Sequence, residues 1–372
     1  MLEDNLTIER RLPAGLGLSV SYVGVRGYDI FTVKDGNPEI PTIVNGTYFW
    51  AANAPRVNPH FGSIELVTTA GDSWYNALQV VVAKQMSHGL QFQETYTWSK
   101  SLDTTESATG AGDGSAPGCA ITTNPVNTLS DKGPSCFDVP QVFHLNLLYN
   151  LPNIRSNSNS FAAQLVHGWW IANVVTAQTG TPFTPIIGYN RSQSDNLVVG
   201  GHGNEHFDLV SVNTRALIAA NPCTPSTCAY TPVPFNQNSY LTNVPDPSHN
   251  GIDRFNPAMF NIGTVGTLGN AARGILLGPG FHDWDFTLAK ETPLRFLGET
   301  GRLTFRAEFF NILNITNYGE PGGGGNNSGK TFNGSTNDVG PFSEAPVSTG
   351  GYLINSTIGI PRHIQLSLKL LW

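Results

Sequence analysis

His363-Ile364-Gln365-Leu366-Ser367-Leu368-Lys369-Leu370-Leu371-Trp372 decides the reading of this chain. Ile364, Leu366, Leu368, Leu370 and Trp372 fall on alternate positions, and His363, Gln365, Ser367 and Lys369 lie between them. A period of two places the two sets on opposite faces of a strand. The same period returns upstream. In Arg302–Phe309, Leu303, Phe305, Ala307 and Phe309 alternate with Arg302, Thr304, Arg306 and Glu308. In Gln141–Leu151, Phe143, Leu145, Leu147, Tyr149 and Leu151 oppose His144, Asn146 and Asn150. In Leu16–Val25, Leu16, Leu18, Val20 and Tyr22 sit around Ser19 and Ser21.

Nine such segments are expected, at 5–12, 16–26, 74–85, 90–99, 141–151, 169–183, 283–291, 301–312 and 362–372. Most are longer than an ordinary strand of about 5–6 residues. They match the roughly 9–11 residues that a tilted strand needs to cross a bilayer. The stretches between them alternate in length. Pro13–Gly15, Met86–Gly89, Pro152–His167 and Thr292–Thr300 are short or moderate. Residues 27–73, 100–140, 184–282 and 313–361 are long and rich in Gly, Pro, Asn and Ser. Short turns at one end and long loops at the other are the pattern of an outer-membrane barrel. The fold expected is therefore all-β, a transmembrane antiparallel β-barrel of the outer membrane.

Composition agrees. Of 372 residues, 27 are acidic and 20 basic, a net charge of −7. Charged residues are 13%, about half the usual share, and hydrophobics are 40%. A pI of about 5.7 argues against a nucleic-acid binder. The abundance of Gly (40) and Pro (25) argues against a helical bundle. Aromatics at 10%, with low net charge, argue against a disordered chain.

Aromatic positions give a second test. With short turns taken as periplasmic, Trp74, Tyr75, Tyr96, Trp98 and Trp284 fall at the outer rim, and Tyr149, Trp169, Trp170 and Trp372 at the inner rim. Two girdles are expected where amphipathic rings meet the two interfaces. Two residues break the pattern. Glu94 shares a face with Phe92 and Tyr96, which suggests a bulge there or a neighbouring domain. Lys290 follows Phe286 and Leu288 but is close enough to the periplasmic end to snorkel. The charges Asp285, Arg302, Arg306, Glu308 and Lys369 fall on the opposite, lumen-facing set.

Motifs of enzymes and metal sites fail on context. Gly324–Thr331 matches the phosphate-loop spacing, but Phe332-Asn333-Gly334 cannot start the helix that such a loop requires. His202-Gly203-Asn204-Glu205-His206 matches an inverted zinc-peptidase spacing, but the glycines around it oppose the helix that would gather the ligands. No nucleophile elbow is present. No catalytic, cofactor or metal site is expected. Cys119 and Cys136 share one long loop, and Cys223 and Cys228 share another. Local pairs in exported loops suggest disulfides.

The C-terminal third carries a resemblance. Phe255-Asn256-Pro257-Ala258-Met259-Phe260, Gly266-Thr267-Leu268-Gly269-Asn270, Arg273, Gly278-Pro279-Gly280, Asp283–Lys290 and Phe305–Asn314 occur in the order found in TonB-dependent receptors of the Oar-like type. Tyr75-Asn76-Ala77-Leu78-Gln79, Tyr96–Ser101 and Gln178–Phe183 are similar to that family as well. The set runs from about Gly17 to Trp372. The alternating end, Ile364, Leu366, Leu368, Leu370 and Trp372, resembles the signal read by the barrel-assembly machinery.

The resemblance implies a barrel of 22 strands filled by an N-terminal plug. This chain would be its C-terminal part, with the plug absent. It implies import of an extracellular ligand, energised by the TonB complex through that missing plug. Outer-membrane lipid would surround the strands, and the lumen charges could contact the plug. Strand parity is a separate argument for truncation: nine strands leave the first and last running the same way. Alternatively, a tenth strand within 184–282 closes a small barrel. The competing functions are a porin or adhesin barrel, and a soluble secreted β protein.

Overall fold

The computed structural model describes residues 1–105, 124–152, 166–195, 205–210, 233–235, 241–246, 251–321, 330–332 and 352–372. Nine long strands make one antiparallel meander: β1 (Leu2–Leu12), β2 (Leu16–Asp35), β3 (Glu65–Ser87), β4 (Leu90–Asp103), β5 (Gln141–Asn150), β6 (Trp169–Gln178), β7 (Phe281–Pro293), β8 (Arg302–Phe310) and β9 (His363–Leu371). Each pairs with its neighbours in sequence. Among the described residues, β1 and β9 pair on one side only. All nine expected strands are present, and chain order is spatial order.

The register shows why the alternation mattered. Ile8 lies opposite Val20, Val20 opposite Val80, and Val80 opposite Tyr96. Tyr96 lies opposite Phe143, Leu147 opposite Asn173, and Asn173 opposite Phe286. Phe286 then lies opposite Phe309, and Phe309 opposite Ile364. A slip of one residue at any ladder would have put an apolar row against a polar one. Instead one face is largely apolar across the nine strands, interrupted by Asp4, Arg10, Glu94 and Asn173. On this face Leu6 and Ile8 of β1, and Leu366 and Leu368 of β9, the two edge strands, are each more than 60% exposed.

Turn chemistry fixes the short end. His88 and Gly89, at φ 51° and 78°, turn the chain between β3 and β4. Two central residues with positive φ are the geometry that matches strand twist in a tight hairpin. A Cβ on Gly89 would stand 2.5 Å from the Asn150 carbonyl oxygen of β5. Glycine is thus required there for both turn and neighbour.

Two expectations need correction, and a third falls partly outside the described residues. Residues 27–35 and 65–73, read as loop, are paired extensions of β2 and β3. Register shifts between Gly27 and Thr32, with Asp29 at φ 56°, break the period there and hid the strands. Glu94 is not relieved: the β3–β4 register shifts only between Lys84 and Ser87, past Phe92, and Glu94 keeps its place opposite Val82 and Leu145. No tenth strand closes the sheet among the described residues. The short strands of 184–282 pair with one another or with the last long connection.

The long connections are not merely polar. Phe183, Ile187, Phe207, Phe255, Phe260 and Leu276 from the connection after β6 pack with Phe332, Tyr352 and Leu353 from the connection after β8. Ring centroids of Phe207 lie 5.7 Å from Phe260 and 5.6 Å from Phe332, and those of Phe255 and Phe260 lie 5.5 Å apart. Among the described residues, the apolar core is therefore built by the long connections and not by the sheet.

Candidate functional site

The two faces of the sheet carry different chemistry. Asp285, Arg302, Arg306, Glu308 and Lys369 all fall on the polar face, beside Thr304, Gln365 and Ser367. Arg306 lies 3.4 Å from Glu308 and 5.5 Å from the centre of the Trp170 ring. Asp285 accepts a 3.0 Å hydrogen bond from the Asn311 backbone N–H at the end of β8. The structure thus gathers the five charges onto one wall.

The aromatic set divides. Trp74, Tyr96, Trp98, Tyr149, Trp169 and Trp284 share the apolar face. Tyr75 and Trp170 share the polar one, because adjacent residues in a strand point to opposite sides. Those two cannot belong to a lipid-facing girdle. Trp372 follows β9 and is 81% exposed. Some polar groups on the apolar face find partners: the Trp284 indole donates to Asn173 at 2.9 Å. Lys290 reaches the His167 carbonyl at 2.6 Å, and Lys84 the Ala14 carbonyl at 2.6 Å, both at the short-turn end. That is snorkelling.

The long connections are braced to one another. The Arg56 guanidinium donates to Asp35 at 3.0 Å, and also to Asp195 in the connection after β6. The buried Arg273 pairs with Asp103 at the end of β4 and donates to the Gly133 carbonyl at 3.0 Å. Trp50 is fully buried, and its backbone N–H donates to the Gly266 carbonyl at 2.8 Å.

Glu205 is buried and accepts the Ser192 backbone N–H at 2.8 Å and the Ser192 hydroxyl at 2.5 Å. Burial outweighs these bonds and pushes its carboxyl up to about 7. Burial also raises Glu39, with the neighbouring Asp195 adding to it, and raises Asp208 and Glu320. Between the connections after β2 and β6 lies a cleft of about 670 Å³ lined by Glu39, Asn53, Tyr189, Asn190, Gln193 and Asp195. No sequence signal marked it, since its walls come from residues some 140 positions apart. A second cavity, of about 390 Å³, opens over the apolar face at Tyr96, Phe143 and Ala177.

Glu205 and His206 form a strand, paired with Ile186–Ile187. Lys330–Phe332, after the glycine-rich stretch, is also a strand. Residues 322–329 and His202 lie outside the described residues. Cys136 is buried and disulfide-bonded. Cys119, Cys223 and Cys228 lie outside the described residues.

A sheet of long strands with one largely apolar face, one polar face and long connections at one end defines the class of membrane β-sheet proteins. No helix among the described residues is long and apolar enough to cross a membrane. The sequence matches the family model "Outer membrane beta barrel domain" over residues 2–346. The chain belongs to that family, and its place is the bacterial outer membrane. No curated protein matches the sequence. Among solved structures, the outer membrane transporter YddB from Escherichia coli is similar at 10% identity and a TM-score of 0.41. The match covers 98% of this chain and 32% of that one, so the chain spans about a third of that structure's length.

Proposed function

We propose that the chain is the C-terminal portion of a closed, TonB-dependent receptor barrel of Oar-like type, of about 22 strands, which imports a ligand captured at its long connections. The observation that carries this is the meander itself. β1 and β9 run in the same direction, so pairing them directly would give a parallel closure. A closed antiparallel barrel needs an odd number of further strands. An open edge in lipid leaves unpaired backbone groups at several kcal/mol each, so closure is required.

In this reading the apolar face meets lipid, and Trp74, Trp98, Trp169 and Trp284 sit at its interfaces. The long connections face outward. The charged wall of Asp285, Arg302, Arg306, Glu308 and Lys369 faces a plug. The barrel-assembly machinery reads the β9 end, Cys119 pairs with Cys136, and Cys223 pairs with Cys228. The protein binds and moves its ligand without covalent chemistry. Capture outside precedes a plug movement driven by the TonB complex. In vivo cross-linking of the full-length gene product to the TonB periplasmic domain tests this: cross-links are expected. Their absence, with uptake insensitive to a protonophore, contradicts it.

A further inference from the structure

We infer that the cleft between the connections after β2 and β6 is a binding site for a neutral, hydroxyl-rich ligand of the saccharide class. The inference rests on the outward placement of the long connections proposed above. The cleft holds about 670 Å³, within the usual range for a small-ligand site. Its framework is fixed from behind. Arg56 ties Asp35 to Asp195, Glu205 holds Ser192, and the Asn190 side-chain carbonyl accepts the Asp195 backbone N–H at 3.3 Å.

Its lining is unspent. The side chains of Glu39, Asn53, Tyr189 and Gln193 make no hydrogen bond to the described residues. Asn53, Gln193 and Asp195 hold positive φ angles of 56°, 58° and 44°. Such conformations collect at binding sites when the surroundings hold them.

The lining selects the ligand class. An apolar ligand would strip water from amides and carboxylates and return no hydrogen bonds. An anion would meet Glu39 and Asp195, while the Arg56 cation beside them is already shared between two carboxylates. Hydroxyl groups both donate and accept. They therefore satisfy amides and carboxylates together. Tyr189, half exposed at 50%, offers a ring face to the C–H side of a sugar.

The test uses the purified full chain in detergent micelles with maltotriose, cellotriose and xylotriose, followed by calorimetry and saturation-transfer NMR. Saturable binding of at least one sugar is expected. Tyr189→Ala, Asn53→Gly and Gln193→Gly should each weaken it about tenfold, the size of one lost contact. Glycine keeps the positive φ at the latter two positions, so they report on side chains and not on folding.

No saturable binding of any sugar, or binding unchanged in all three variants, overturns the inference. So does spermidine binding lost in the same variants with no sugar bound, since that would make the cleft a cation site. Labelling of Asn53→Cys by a membrane-impermeant maleimide in intact cells separates the two readings. Labelling without sugar binding overturns this inference alone. An inserted barrel that does not label overturns the outward placement beneath it.

Discussion

At the scale of single residues, the long connections behave as a folded body, and their buried charges are its weak points. Glu205, buried where it holds Ser192, has its carboxyl raised from 4.5 to about 7. The folded state therefore holds a proton that the unfolded chain has already lost between those values. Stability falls as pH rises through that window, by an amount on the order of a few kcal/mol. Glu205→Gln should remove the dependence, and hydrogen exchange in the segment 186–195 at pH 5 and pH 8 reads it. Arg273 is paired with Asp103 in a buried site. Arg273→Ala leaves that carboxylate without its cation and should cost about 3–5 kcal/mol. Limited proteolysis of the connections would show it as faster cutting, with the strands still resistant. Neither site was legible in the sequence. Arg273 meets Asp103 from a distant part of the chain, Glu205 meets Ser192 within one connection, and neither a single buried Glu nor a lone Arg has a local signature. The phenylalanines of this core were visible, but without a period of two they carried no strand signal.

At the scale of elements, the strands were legible and the connections were not, for one physical reason. A strand with lipid on one side and polar groups on the other must alternate, so β5, β8 and β9 announce themselves. Where register shifts interrupt the ladder, as beyond Gly27, the alternation fails and the strand is lost to view. The two faces predict opposite outcomes for adjacent positions. Leu368→Lys places a charge in the apolar row and should cost about 2–4 kcal/mol at mid-depth. Ser367→Lys, one residue away, points to the polar face and should cost little. Urea-induced unfolding in lipid vesicles compares them directly. The β3–β4 turn gives a second contrast. Gly89→Val meets both a positive φ and the Asn150 carbonyl, so it should lower the yield of folded protein. Heat-modifiable mobility on a gel measures that yield.

At the scale of the whole molecule, one sheet separates two environments and carries a structured cap at its long-connection end. The cap explains how a chain with only 13% charged residues and 40 glycines holds long connections in place. Arg56 and Trp50 tie the connection after β2, and Arg273 the connection after β4, to the one after β6 that supplies Phe207, Phe255 and Phe260. The central claim is that the two faces of the sheet meet lipid and water respectively. Spin labels placed in turn at positions 364–370 of β9, in the vesicle-inserted protein, test it through collisions with oxygen and with a water-soluble nickel complex. The account predicts a period of two, with oxygen favoured at 364, 366, 368 and 370 and nickel at 365, 367 and 369. Accessibility without that alternation, or with the two sets exchanged, would contradict it.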